Sequence, residues 1–120
     1  MSTSQEQFVF LALADPTRRL IIQRLSEEEA ATATRLSAGL SITRQAVKKH
    51  LTTLVEAGLL TSRVKGRERQ YRLRPEPLHE IAAWIAQIEA RWDARLDALH
   101  RHLMQQEAMA QRDETSEHPC

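Results

Sequence analysis

The fold is decided by residues 31–60, which read ATATRLSAGLSITRQAVKKHLTTLVEAGLL. In the second half of this stretch, apolar residues recur at the spacing of a helix and form one stripe along it: Val47, Leu51, Leu54 and Val55. Thr43 has the side chain of an N-cap, and Gly58 is typical of a glycine that ends a helix. The pattern predicts an amphipathic helix over about residues 43–57.

A shorter helix is predicted just before it. Thr32 or Thr34 can cap its start, and Gly39 can end it. The turn that joins the two helices then runs only from Gly39 to Ile42. A short helix, a tight turn and a second, amphipathic helix together form the helix-turn-helix pattern.

Two further helices are predicted upstream. The first covers about residues 5–14. The second starts at Asp15-Pro16, an N-cap followed by proline at the first helical position, and reaches Ser26. Three apolar residues of this second helix are expected to face the core: Leu20, Ile21 and Leu25. The chain has only 3 glycines and 4 prolines among its 120 residues, which favours helices over loops.

Downstream, residues 59–74 change to a strand pattern and predict two strands joined by a charged turn at Gly66. Pro75 and Pro77 are expected to end this hairpin. A long helix is predicted from Leu78, because apolar residues recur there with a mean spacing of about 3.6. We expect it to cover about 27 residues, or about 40 Å.

These elements predict a mainly helical chain with about five helices and one small β-hairpin. Its length suits a single domain, which we place at residues 1–107. The remaining polar segment, residues 108–120, is expected to be a disordered tail.

The charge of the chain is concentrated in one segment. The formal net charge is only +1, which by itself argues against a nucleic-acid binder. The segment from Ser41 to Arg74, however, contains nine basic and two acidic residues, which gives it a net charge of +7. The rest of the chain contains eight basic and fourteen acidic residues, a net charge of −6. The basic segment covers the second helix of the helix-turn-helix and the hairpin, which are the parts that this motif presents to DNA.

We therefore predict DNA-binding residues on both elements. They are Thr43, Arg44, Gln45, Lys48 and Lys49 on the helix, and Lys65, Arg67 and Arg69 on the hairpin. Arg44 and Gln45 lie at the end of the helix that reaches base edges, whereas Lys48 and Lys49 suit phosphates. Which of these four reads a base is left open. For Arg72 and Arg74, DNA contact and a solvated strand end are equal alternatives.

Three segments resemble the ArsR-type winged-helix repressors. They are ALADPTRRLIIQRL at 12–25, SITRQAVKKHLTTLVEAGLL at 41–60 and RVKGRERQYRL at 63–73, and they occur in the family's order. The resemblance implies a winged helix-turn-helix fold, in which the hairpin is the wing and residues 43–57 the recognition helix. It also implies homodimers that pair through their first and last helices and place two recognition helices in successive major grooves.

The aromatic residues agree with such a dimer. Four of the five lie in the first and last predicted helices, and packing within one chain's own core is the alternative. The residues predicted at the dimer interface are Phe8, Phe10, Trp84, Ile85, Ile88, Trp92, Leu96 and Leu99.

The metal-sensing motifs of the family are not found in this sequence. The cysteine pair and aspartate of one known site would fall in ATATRLSAGL, which has no Cys, His or acidic residue. At the second site, Pro77 stands where an aspartate should precede His79, and Ala90 stands where a histidine should follow. Asp97, His100 and His102 remain as a cluster that does not share one helix face. We expect no metal and no cofactor, as in a subgroup of the family without metal sites, and leave the effector open, a small organic ligand included.

The remaining classes of function are disfavoured. The sequence has no nucleophile-base arrangement and no glycine-rich phosphate loop, so we expect no enzyme. The single Cys120 cannot form an internal disulfide, which suits a cytoplasmic protein, and the apolar run at residues 8–14 is too short for a membrane span.

The sequence thus predicts a homodimeric transcriptional regulator, expected to be a repressor, that binds an inverted-repeat operator. The alternative is a winged helix that serves as a protein-interaction module and has no operator.

Overall fold

The computed structural model describes residues 3–116 of the chain, with side chains for residues 4–112. In order, its elements are α1 (Thr3–Leu13), α2 (Pro16–Glu27), β1 (Ala31–Thr32), α3 (Ala33–Ser37), α4 (Arg44–Glu56), β2 (Leu60–Lys65), β3 (Glu68–Leu73) and α5 (Glu76–Ser116). The chain divides into two units, one up to Ile81 and the other from Ala82 onward. The first unit is a winged helix-turn-helix, as predicted, and the second is the remainder of α5.

Side-chain caps start three of the helices where the sequence predicts them. Asp15 accepts a hydrogen bond from the N–H of Arg18 at 2.9 Å, and Thr43 accepts one from the N–H of Ala46 at 3.1 Å. Of the two caps considered for α3, Thr32 is the one in place. Each cap satisfies a backbone donor that the first turn of a helix leaves without an intrahelical partner.

Gly58 ends α4 as predicted, with a φ angle of +82°. Its N–H donates to the carbonyl of Val55, and the N–H of Leu59 donates to the carbonyl of Leu54, both at 3.0 Å. This pair of bonds is the Schellman motif, which requires a left-handed residue that glycine adopts without strain. The chain then turns directly into β2, so the motif fixes how the recognition helix and the wing are joined.

The core forms where the apolar stripe of α4 meets the other elements of the first unit. Val47, Leu51 and Leu54 are fully buried, while Val55 at the margin of the stripe is half-buried. Buried neighbours come from every other element of this unit: Val9, Ala12, Ile21, Ile22, Leu25, Ala31, Ala33, Leu36, Ala57, Leu59, Leu60, Tyr71 and Ile81.

The predicted inward face of α2 is partly wrong. Leu20 is 48% exposed, and Ile22 is buried in its place. Because successive helical residues are about 100° apart, Leu20 falls outside the face that Ile21 and Leu25 share. Ile22 lies close enough to that face to pack on the core.

The wing hairpin belongs to a three-stranded sheet with the order β1-β3-β2, whereas the sequence predicts two strands. β2 and β3 pair antiparallel, with Ser62 opposite Tyr71, and the hairpin turns at Gly66, whose φ angle is +67°. The third strand, β1, has two residues and pairs Ala31 with Tyr71 on the other edge of β3. It ties the start of α3 to the wing.

Helix α5 is longer at both ends than predicted. It starts at Glu76 rather than Leu78, because Pro77 lies in its first turn, where a proline needs no N–H partner. It continues to Ser116, so the structure has helix at residues 108–116, where the sequence predicts a disordered tail, while residues 117–120 lie outside the described part. The segment QRDETS has no glycine or proline, so nothing in it stops the helix.

Candidate nucleic-acid interface

Helix α4, the predicted recognition helix, presents a polar face opposite its buried stripe. Arg44, Gln45, Lys48 and Lys49 are all exposed on it, as predicted. Thr43 is exposed as well, and its hydroxyl oxygen is the N-cap acceptor of the helix. The polar face is 13 residues long, about 20 Å, which is enough to lie along a major groove.

The wing presents the second set of predicted cations. Lys65, Arg67 and Arg69 are exposed around Gly66. Arg69 is held in place because its Nη1 donates to the hydroxyl oxygen of Ser62, on the neighbouring strand, at 2.9 Å. A guanidinium held in this way loses less conformational entropy when it binds an anion.

A cleft of about 470 Å³ lies between the recognition helix and the wing. Four of the predicted cations line it, and Glu68 is the only carboxylate among the lining residues. Its walls are Thr32, Ala33 and Thr34 on the α3 side, Arg44, Lys48 and Thr52 on α4, and Arg67, Glu68, Arg69 and Tyr71 on β3 and the turn before it. The fold thus brings together residues that are more than twenty positions apart in sequence, whereas Gln45, Lys49 and Lys65 lie outside this cleft.

Most of the cations on this surface are not engaged in ion pairs with other described residues. Among the described residues, no ion pair involves Arg44, Lys48, Lys49, Lys65 or Arg67. No ion pair among the described residues therefore neutralises these five cations, which favours binding of a polyanion.

Arg72 and Arg74, for which the sequence leaves two alternatives open, have carboxylate neighbours. Arg72 Nη2 lies 3.1 Å from Glu29 Oε1, and Arg74 Nε lies 3.9 Å from Glu76 Oε2. Glu29 is the last of three consecutive glutamates that begin at Glu27. The pairing of Arg72 joins residues 43 positions apart, which a local pattern cannot reveal.

Sequence reasoning also misses the role of Arg18, a residue of α2. Its guanidinium donates to the carbonyls of Leu11 and Ala12 in the last turn of α1, at 3.0 and 2.7 Å. Its Nη1 lies 3.3 Å from Nδ1 of His50, which is on α4. The signal in the sequence is an arginine just after an Asp-Pro helix start, but its partners are set by the tertiary fold.

The apolar residues predicted at a dimer interface are exposed in the single chain. Their exposed fractions run from 41% for Phe10 to 59% for Phe8, and Trp84, Ile85, Ile88, Trp92, Leu96 and Leu99 lie between these values. They are therefore not part of the buried core of the described residues. Large apolar faces of this kind usually mark an interaction surface.

Two further features of the described residues bear on the class of site. No group of three or more His, Cys, Asp or Glu residues within the described part is placed to hold a metal ion. No helix among these residues has both the length and the hydropathy needed to cross a membrane.

Comparison with known proteins agrees with this geometry. A family model described as a helix-turn-helix domain matches residues 13–63. The HTH-type transcriptional regulator YuzN of Bacillus subtilis is 45% identical over 84 residues, which cover 64% of this chain and 91% of that protein. The arsenical resistance operon repressor of Escherichia coli is 34% identical over 102 residues, covering 82% of this chain and 84% of the repressor.

Among solved structures, the ArsR family transcriptional regulator RHA00566 superposes with a TM-score of 0.69 at 31% identity, covering 78% of this chain and 95% of that one. The chain belongs to the ArsR family of transcriptional regulators. Members of the ArsR family are DNA-binding regulators with a helix-turn-helix, not enzymes. The resemblance drawn from the three sequence segments is thereby confirmed.

Proposed function

We propose that this ArsR-family chain acts as a homodimeric repressor that binds an inverted-repeat operator in double-stranded DNA. The observation that carries the proposal is the cleft between α4 and the wing, where Arg44, Lys48, Arg67 and Arg69 converge. A strand of DNA backbone fits between two such elements, because the recognition helix occupies the major groove while a wing lies over the adjacent minor groove.

The residues divide into two roles in this proposal. Arg44 and Gln45, in the first turn of α4, are placed to reach base edges, where arginine pairs with guanine and glutamine with adenine. Lys48, Lys49 and the wing cations Lys65, Arg67 and Arg69 bind phosphates, which sets the position of the protein on the duplex. Thr43 contributes mainly by capping the helix, and its exposed hydroxyl can also donate to a phosphate.

The exposed apolar side chains of α1 and α5 support the homodimer. Phe8 and Phe10 on α1 and Trp84 and Trp92 on α5 are each about half exposed, and aromatic side chains of this size are the usual centre of a stable interface. Two recognition helices related by a two-fold axis would read half-sites about 34 Å apart, one turn of the DNA helix.

Repression is the sign of regulation that the relatives favour, since the Escherichia coli relative is a repressor of an arsenical resistance operon. We do not propose arsenic as the effector of this chain, because residues 31–40 have no cysteine to bind arsenic as a thiolate. A small organic effector, or control by protein concentration alone, suits this sequence better. We place the DNA-binding and dimerisation domain at residues 1–107.

Selection from a random duplex library tests the proposal. The purified protein is incubated with duplexes that carry about 30 random base pairs, and bound DNA is amplified and sequenced over several rounds. We expect a two-fold symmetric motif with half-site centres about 10 base pairs apart. A variant with Arg44→Ala and Gln45→Ala should lose the enrichment, whereas Arg112→Ala, at the far end of α5, should retain it. The absence of any enriched motif with the wild-type protein would contradict the proposal and favour a protein-interaction module.

A further inference from the structure

Arg18 links α1 to the recognition helix through a single guanidinium group. Two of its nitrogens donate to the carbonyls of Leu11 and Ala12 at the end of α1, and the third faces His50 on α4. The end of a helix leaves carbonyls without intrahelical partners, so the first two bonds hold the guanidinium in a fixed position. The group therefore serves as a fixed donor for the ring of His50.

The chemistry of this contact requires an acceptor on the histidine. A guanidinium can only donate hydrogen bonds, so Nδ1 of His50 is the acceptor in this contact. The carboxylate of Asp15, which caps α2 through the N–H of Arg18, lies 4.0 Å from the same ring nitrogen. His50 thus faces a cation and an anion, both held by the corner between α1 and α2.

The contact is directional, whereas the apolar contacts of the α4 stripe are not. The stripe of Val47, Leu51 and Leu54 seats the helix by apolar burial, which resists separation more than rotation about the helix axis. A rotation of about 20° moves a side-chain tip about 6 Å from the axis by about 2 Å. Paired hydrogen bonds to a base edge tolerate about 0.5 Å. A directional bond on the flank of α4 is therefore suited to set its rotation.

We propose that Arg18 and His50 are positioning residues that fix the rotation of the recognition helix relative to α1 and so determine sequence specificity. The inference rests on the proposed function, since it assigns a role in operator recognition. Neither side chain contacts the DNA in this account. Because α1 also carries the proposed interface residues Phe8 and Phe10, the same guanidinium makes the orientation of α4 depend on the seating of a dimerisation helix.

The test compares three variants of the full-length protein. His50→Leu removes the acceptor, and His50→Asn restores one, because its Oδ1 is bonded to Cγ as Nδ1 is in histidine. Thr53→Val is the matched control, since among the described residues the Thr53 hydroxyl donates to the Lys49 carbonyl of the same helix and to no other element. Affinities for the selected duplex and for a scrambled duplex are measured by fluorescence anisotropy, well below each melting temperature, with the dimer fraction checked by size-exclusion chromatography.

We expect His50→Leu to reduce the ratio of the two affinities by about tenfold, with the affinity for scrambled DNA and the salt dependence unchanged. His50→Asn and Thr53→Val should stay close to wild type. The inference is overturned if His50→Leu keeps the wild-type ratio, if it weakens both duplexes equally, or if Thr53→Val has the same effect. If the wild-type protein binds the selected and scrambled duplexes equally, the proposed function fails. That outcome is distinguishable from failure of the inference because the wild-type measurement alone shows it.

Discussion

The turn between α3 and α4 offers a prediction whose magnitude follows from the structure. Gly39 has a φ angle of +81°, and a Cβ atom added there would lie 2.9 Å from Nη2 of Arg24. Nη1 of Arg24 donates to the carbonyls of Leu36 and Ala38 at the end of α3. Gly39→Ala should therefore strain the backbone and also displace Arg24 from those carbonyls.

The two costs add to about 2–3 kcal/mol of unfolding free energy. Placing alanine in the left-handed region costs about 1–2 kcal/mol. Losing the two hydrogen bonds of Arg24, one exposed and one half-buried, costs about 1 kcal/mol more. Gly58→Ala is the matched comparison, because its φ angle is +82° but its added Cβ would make only an ordinary contact, 3.4 Å from Gln5 Nε2. Gly58→Ala should therefore lower the free energy of unfolding only by the cost of the backbone strain, about 1–2 kcal/mol.

Thermal unfolding followed by circular dichroism measures the stability of both glycine variants. For a unit of this size about 1 kcal/mol shifts the melting temperature by about 4–8 °C, so Gly39→Ala should melt about 10–20 °C lower than wild type. In an Arg24→Met background the cost of Gly39→Ala should shrink by about 1 kcal/mol, because the displaced group is already absent. The reasoning is refuted if Gly39→Ala lowers the free energy of unfolding no more than Gly58→Ala does. It is also refuted if the effects of Arg24→Met and Gly39→Ala are additive.

Three further predictions concern the interface, base recognition and pH. Trp92→Glu should convert the proposed dimer to a monomer in light scattering while the winged-helix unit stays folded; a dimer of unchanged stability would contradict the placement of α5 at the interface. Arg44→Ala and Gln45→Ala should each change which bases the selected motif contains, whereas Lys49→Ala should weaken binding to all sequences alike, and a common effect of all three would contradict the two roles. The Arg18 N–H holds the pKa of Asp15 below its ordinary value of 3.8, so the stability it contributes is present above that pH and is lost as the pH falls through the folded pKa. Asp15→Asn, which keeps the cap but cannot titrate, should weaken the acid dependence of urea unfolding below about pH 4. An unchanged dependence would mean that other groups cause the loss of stability in acid.

Features that depend on neighbouring residues could be predicted from the sequence. The caps at Asp15 and Thr43 and the helix end at Gly58 are set within three or four positions, so residue type and spacing suffice. The apolar stripe of α4 likewise follows from its period. The position of the cations on α4 and the wing follows from the same local patterns, because the elements themselves were assigned correctly.

Features that depend on distant residues could not be predicted. The two-residue strand β1 exists because Ala31 meets Tyr71, 40 positions away, and its own sequence has too few residues to show a period. The contact of Arg18 with His50 and the pairing of Arg72 with Glu29 arise in the same way. The end of α5 differs for another reason: the polar composition of residues 108–116 predicts disorder, whereas these residues have no glycine or proline to stop a helix.

The salt dependence of operator binding tests the central claim most directly, namely that the α4 and wing cations bind DNA. The logarithm of the affinity of the wild-type protein for the selected duplex is plotted against the logarithm of the salt concentration, beside Lys48→Ala, Lys65→Ala and the distant control Arg112→Ala. Each substitution on the proposed surface removes two phosphate contacts from a dimer, so the slope should become shallower by about 1.8. Arg112→Ala should leave it unchanged. Slopes that are the same for all four proteins would contradict the account.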